Sequence, residues 1–154
     1  MHEMPSEVGA RAELEVTHAL LRAGWQVYLP VFCAHSRVDL VALRPDETMR
    51  VQCKTARLLG STLFFRTCSN TKNIPRSYHG EVDAFGVYSP DLESAYLVPL
   101  EGLAHSGCSL RLGPPANNQA KGIRFAAEYL LPNAVKVAAG GGPRNPREPT
   151  SAHK

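Results

Sequence analysis

The sequence predicts a single α/β domain, a helix followed by a succession of short strands and a final helix, with an unstructured tail behind it. Three observations predict it. An apolar stripe at three- and four-residue spacing occupies the first 23 residues. Short apolar runs broken by Gly, Pro and Asp follow as far as residue 112. The last fifteen residues, Gly140 to Lys154, hold nothing that buries apolar surface. Length agrees, because 154 residues make one domain that can bury a core without disulfides or structural metal.

The helix opens at Ser6-Glu7-Val8, read as cap and first turn, and runs to about Ala23. Val8, Ala12, Val16, Ala19, Leu20 and Ala23 form its core-facing stripe, and Gly24 stops it. Trp25–Val31 and Arg37–Leu43 read as strands, the first closed by Pro30. Pro45-Asp46-Glu47 is a turn, after which Thr48–Lys54 returns as the second arm of a hairpin. Thr62–Arg66 is a fourth strand, and Cys68 to Gly80 reads as a polar, basic loop. Val82–Tyr88 and Ala95–Pro99 flank the turn at Ser89-Pro90-Asp91 as another hairpin. Leu110–Leu112 adds a short strand, and Ile123–Leu131 is expected as a final helix. The domain is therefore set at residues 1–132 and the Gly/Pro-rich tail at 133–154. No internal repeat is present.

Composition excludes several classes. Apolar residues make up 44% and charged residues 20%, ordinary values for a globular chain. No run approaches the roughly 18 apolar residues of a membrane helix, and Met1–Glu7 has neither the basic start nor the apolar run of a signal peptide. A cytoplasmic protein with no membrane partner is the expectation. Cys33, Cys53, Cys68 and Cys108 form no C-x-x-C pair and read as buried free thiols of a reducing compartment. Cys33 and His35 have no second Cys/His pair with which to complete a zinc set.

Charge is more informative by position than in sum. Residues 1–47 carry seven acids and four bases. From Thr48 to Gly80 there is no acid, while Arg50, Lys54, Arg57, Arg66, Lys72 and Arg76 supply six bases. Such a stretch suits phosphate neutralisation and salt-dependent nucleic-acid binding, although charge runs are usually only a solvated face.

The chemistry-bearing residues are Glu13, Asp39, Gln52 and Lys54. Gln52 and Lys54 are two apart on a strand and share a face. A two-residue turn at 45–46 places Asp39 opposite Gln52, and one at 46–47 places it opposite Lys54. Either register gathers carboxylate, amide and ammonium on one face, with Leu40, Val51 and Cys53 on the other; an odd-length turn would break that parity. Metal-assisted phosphodiester cleavage uses such a set: carboxylates hold a hard divalent cation, and a lysine orients water or offsets phosphate charge. Glu13 adds a second carboxylate if the first helix packs beside the hairpin. A satisfied surface cluster is the plainer reading of the same residues.

Gly9-Ala10-Arg11-Ala12-Glu13, Asp39 and Gln52-Cys53-Lys54 together resemble the PD-(D/E)XK nuclease superfamily, in the Q-x-K branch that includes intron-encoded homing endonucleases. Val51–Arg57, Arg76-Ser77-Tyr78, Glu81–Phe85 and Tyr96–Pro99 extend the resemblance in order, over residues 6 to 131. It implies a restriction-endonuclease-like core, a mixed sheet flanked by helices in the order α-β-β-β-α-β, with additional strands. It also implies roles: Asp39 and Glu13 as metal ligands with the carbonyl of Cys53, Lys54 as the residue that positions water, and Gln52 where most relatives carry an acid. Val38 stands where the nominal motif has proline.

The implied function is a Mg²⁺-dependent DNA endonuclease, with Mn²⁺ as substitute and no organic cofactor, homing-like or structure-specific. It would leave 5′-phosphate and 3′-hydroxyl ends and act as a homo-oligomer, because two strands need two sites. Arg57, Arg66, Lys72 and Arg76 are the phosphate-contact candidates. Tyr78 and Asp83 read as braces of the site or as a buried Tyr–Asp hydrogen bond without a catalytic part. His18, His35 and His79 read as ordinary histidines, and Ser36 lacks a nucleophile elbow. The alternative of a different class is a catalytically silent DNA-binding module, kept open by Gln52.

Overall fold

The computed structural model describes residues 3–114 and 121–132. The tail expected at 133–154 lies outside the described residues. Helix α1 (Pro5–Arg22) starts one residue before the expected cap. Pro5 presets the first helical φ, and the Glu7 carboxylate reaches back to accept the Met4 N–H at 2.8 Å, so Ser6 is not the cap. At the other end Gly24 takes a φ of 86°. The N–H groups of Trp25 and Gly24 then donate to Leu20 and Leu21 carbonyls, a Schellman stop that any side chain with a Cβ would strain.

Five strands build the main sheet: β1 (Gln26–Tyr28), β2 (Leu40–Arg44), β3 (Glu47–Thr55), β8 (Ala84–Ser89) and β9 (Ser94–Pro99), in the order β1-β2-β3-β8-β9. Only β3 and β8 run parallel, so the sheet is mixed. A second sheet has the order β11-β10-β5-β4, from β4 (Arg57–Leu59), β5 (Thr62–Phe65), β10 (Cys108–Arg111) and β11 (Arg124–Phe125). The chain passes between sheets at Ala56, whose N–H donates to Tyr88 O at 2.7 Å.

The main sheet is covered on both faces. On one, Ala12, Val16 and Leu20 of α1 pack on Leu40, Val51, Cys53 and Ala84. On the other, Leu63, Phe65 and Leu110 of the second sheet pack on Phe85, Val87 and Val98. Every residue of β8 is buried in consequence, as expected of a central strand. Helix α1 lies so close to β8 that a Cβ at Gly86 would collide with the Val16 side chain.

The mixed α/β architecture is the expected one, with two local corrections and one substitution. The crossover from β3 to β8 carries strands, not a helix, in the described residues. The expected loop at 68–80 is a hairpin, β6 (Cys68–Thr71) and β7 (Ile74–Ser77), turning at Lys72 and Asn73 with φ of 52° and 62°. The expected helix at 123–131 is instead β11, a 3₁₀ turn (Ala126–Glu128) and a bridge from Leu130 to Tyr96. Tertiary pairing decides there: Leu97 N–H donates to Tyr129 O and Leu131 N–H to Ala95 O, so the segment covers the edge of β9. Among the described residues no helix is long and apolar enough to cross a membrane. Cys53, Cys68 and Cys108 are buried and free as expected, whereas Cys33 is exposed in the irregular stretch after β1.

Candidate active site

The β2–β3 hairpin turns at Pro45-Asp46, with Arg44 paired to Glu47 and the ladder regular back to Leu40 and Val51. There it breaks. Asp39 N–H donates at 2.9 Å to Val51 O, the residue already opposite Leu40, instead of continuing to Gln52. The Asp39 carboxylate takes over the next ladder position, accepting the Cys53 N–H on Oδ2 at 2.7 Å. The acid is thus held against the β3 backbone between Gln52 and Lys54. In an extended strand the N–H and C=O of one residue point to the same side, so the Cys53 carbonyl also faces the Asp39 side. Gln52 Nε2 donates to that carbonyl at 3.3 Å.

Glu13, midway along α1, meets Asp39 in a cavity of about 270 Å³, lined also by Leu29, Pro30, Cys33 and Ser36. That lining carries no basic side chain. Burial raises the Glu13 carboxyl above its ordinary 4.5, and the Asp39 charge adds to the rise. Asp39 is raised above 3.8 by burial, against the opposing pull of the Cys53 N–H and the Lys54 charge. The Cys53 thiol is driven up by burial and by both carboxylates, so it stays protonated and is no nucleophile. Two carboxylates that resist ionisation beside one another are what a bound cation would relieve.

Lys54 opens on a different cavity of about 480 Å³, lined by Arg57, Phe64, Arg66, Ser69 and Asn70. Its ammonium donates to Tyr78 Oη at 3.1 Å and to Cys68 O at 3.5 Å. The strand β3 therefore separates an acidic cavity from a basic one, and Asp39 and Lys54 stand between them.

A family model described as PD-(D/E)XK endonuclease matches residues 4–132. The chain belongs to the PD-(D/E)XK endonuclease family. That membership supports a nuclease function, and DNA is the substrate class the family implies. A structural comparison finds a bacterial homing endonuclease, I-Ssp6803I, with a TM-score of 0.63 and 20% sequence identity over 83% of this chain and 89% of that one. At that identity the likeness is one of fold. Among curated proteins none matches the sequence.

In this PD-(D/E)XK chain the four chemistry-bearing residues come together, but the basic candidates divide. Arg57 and Arg66 line the cavity at Lys54. Lys72 sits at the β6–β7 turn, away from that lining. Arg76 is ion-paired with Glu81 at 2.7 Å, so much of its charge is already answered. Asp83 does not bond Tyr78. Its oxygens accept from Arg50 Nη2 at 2.8 Å and Nε at 3.0 Å, which lowers its carboxyl. His18 accepts from Arg22 and His79 contacts Ser77, local partners that leave both outside the site.

One residue at the site was missed in the sequence. Arg37 stacks on the Tyr78 ring at 3.9 Å and binds Ser69 Oγ, Arg76 O and Glu81. It lies two residues from Asp39, which is the one clue the chain offered.

Proposed function

We propose that this nuclease is a divalent-metal-dependent DNA endonuclease that hydrolyses phosphodiesters to 5′-phosphate and 3′-hydroxyl ends. The carrying observation is Asp39, held by the Cys53 N–H between Gln52 and Lys54, with Glu13 in the same cavity. The donor set fits a hard cation. Among the described residues no three His, Cys, Asp or Glu side chains converge, which argues against a closed zinc site. Two carboxylates with elevated proton affinity, one backbone carbonyl and room for water suit Mg²⁺, with Mn²⁺ as substitute. Bound there, the ion would supply water activation and charge neutralisation.

The chain's own residues do the rest. Asp39 and Glu13 hold the charge that retains a cation, and the Cys53 carbonyl faces the same point. Lys54 orients the attacking water or offsets charge on the phosphate oxygens. The water oxygen bonds to phosphorus, the bond to the 3′ oxygen breaks, and a proton ends on that oxygen. Arg57 and Arg66 hold the flanking phosphates. Gln52 contributes no charge and steadies the Cys53 carbonyl.

Homing-type or structure-specific cutting both fit this reading, and both call for a homo-oligomer, since each site cuts one strand. Free thiols support a cytoplasmic setting. The neutral Gln52 sustains one other reading, a DNA-binding module without turnover. The test is nicking of supercoiled plasmid with Mg²⁺, with Mn²⁺ and with chelator, followed by end-group analysis. Metal-dependent nicks that ligase reseals directly are expected. DNA retention without nicking on any substrate tried would favour the silent module.

A further inference from the structure

Lys54 carries its charge on a four-carbon stem with many rotamers, and a freely swinging ammonium orients nothing. What fixes it is Tyr78. The Tyr78 side chain is only 4% exposed, and its hydroxyl accepts from Lys54 Nζ at 3.1 Å. Nζ also lies 4.6 Å from the ring centroid, within cation–π range. The ring packs edge-on against Phe85 with centroids 5.6 Å apart, and Phe85 is the strand partner of Gln52. The hydroxyl is thereby set relative to β3 by a buried aromatic contact.

Arg37 completes the arrangement. Its guanidinium stacks on the Tyr78 ring at 3.9 Å. It donates to Ser69 Oγ and to Arg76 O, each at 3.1 Å, and meets Glu81 Oε2 at 2.9 Å. Its side chain is 16% exposed. These contacts clip β6, β7 and the segment after them to the stretch that leads into Asp39. Lys54 and Asp39 are then linked twice, through the Cys53 N–H next to Lys54 on β3 and through Tyr78 and Arg37.

We propose that Tyr78 and Arg37 are positioning residues that fix the Lys54 ammonium relative to Asp39. This rests on the reading of the site as a metal-dependent nuclease. Tyr78 touches the lysine and lines neither cavity, and Arg37 acts through Tyr78. The basic stretch that ends at Arg76-Ser77-Tyr78 therefore serves the site by delivering one aromatic hydroxyl as well as by its charge.

The test uses the full chain with ¹⁵N-labelled lysine, which has only five lysines to resolve, in wild type, Tyr78→Phe and Arg37→Gln. Tyr78→Phe removes the hydroxyl and keeps the ring on Phe85 and Arg37, so the fold is retained. In wild type the Lys54 ammonium is expected to exchange protons slowly enough to be observed, and in Tyr78→Phe to lose that signal. Nicking at saturating DNA should fall about tenfold with KM within a factor of two. Arg37→Gln should reproduce both effects with a lower Tm.

A Lys54 ammonium signal that persists in Tyr78→Phe overturns the proposal, as does a lost signal with undiminished turnover. A wild-type chain that nicks no DNA in any metal brings down the nuclease reading itself. The catalytic meaning of the contact falls with it, even where the ammonium signal still responds to the hydroxyl.

Discussion

The two cavities on either side of the Asp39–Lys54 pair are built from opposite materials. One is lined by Glu13, Asp39 and apolar side chains from the stretch after β1, where Phe32 is 96% exposed. The other is lined by Lys54, Arg57 and Arg66, with the rings of Phe64 and Phe65 from β5 and Ser69 and Asn70 from β6. The first raises the proton affinity of its carboxylates and would welcome a cation. The second concentrates positive charge and would welcome phosphate. On the reading proposed above, the difference is a division of labour: the acidic wall would take the metal and the basic wall the DNA, and β3 joins the two at Cys53 and Lys54.

If the walls are separate, each can be damaged alone. The largest effect is expected at the junction. Lys54→Ala should lower turnover by about 10²–10³-fold, while a filter-binding assay finds DNA retained; equal loss of both would merge the two walls.

Next comes the metal wall. Asp39 and Glu13 have folded-state proton affinities above their unfolded values, so the stability they supply is complete below their ordinary values and falls away as pH rises through the folded ones. At neutral pH they weigh against the fold. Mg²⁺ at a hundredfold excess over its Kd should restore about 2.7 kcal/mol, read as a Tm increase. Asp39→Asn should raise Tm in chelator and abolish most of the Mg²⁺ response. A wild-type Tm indifferent to Mg²⁺ and Mn²⁺ would remove the cation from the acidic cavity.

Gly86→Ala is a remote blow to the same wall. It pushes α1 off β8 through Val16 and should cost about 1–3 kcal/mol. Metal-dependent turnover should suffer through Glu13, with DNA affinity at low salt unchanged.

The smallest effect is expected on the phosphate wall. Arg66→Ala should weaken DNA binding and reduce the slope of log affinity against log salt by about one. Arg76→Ala should change that slope less, because Glu81 already holds its guanidinium.

The motif residues were legible because their geometry is local. Spacing of two along β3 and a two-residue turn at Pro45-Asp46 put Gln52 and Lys54 on one face beside the end of β2, where Asp39 follows. Helix α1 was legible for the same reason, since its stripe at Ala12, Val16, Ala19 and Leu20 is the buried face. The break at Asp39 was not, because a ladder bond replaced by a carboxylate leaves no periodic trace. The β6–β7 hairpin was hidden by polar strands and Pro75, which carry no alternation for a core to read. Residues 123–131 look helical in isolation and are captured by the β9 edge. Arg37 was invisible because its partners Ser69, Arg76, Tyr78 and Glu81 lie 32 to 44 positions away and meet only in the fold.

The most direct test of separate metal and phosphate walls is Asp39→Ala assayed twice on one DNA, for Mg²⁺-dependent nicking and for retention at low salt. The expected result is nicking reduced to background with DNA retained at wild-type affinity or tighter, since a negative charge near the phosphate has gone. Nicking at the wild-type rate would contradict the assignment of Asp39 to the metal and with it the proposed mechanism.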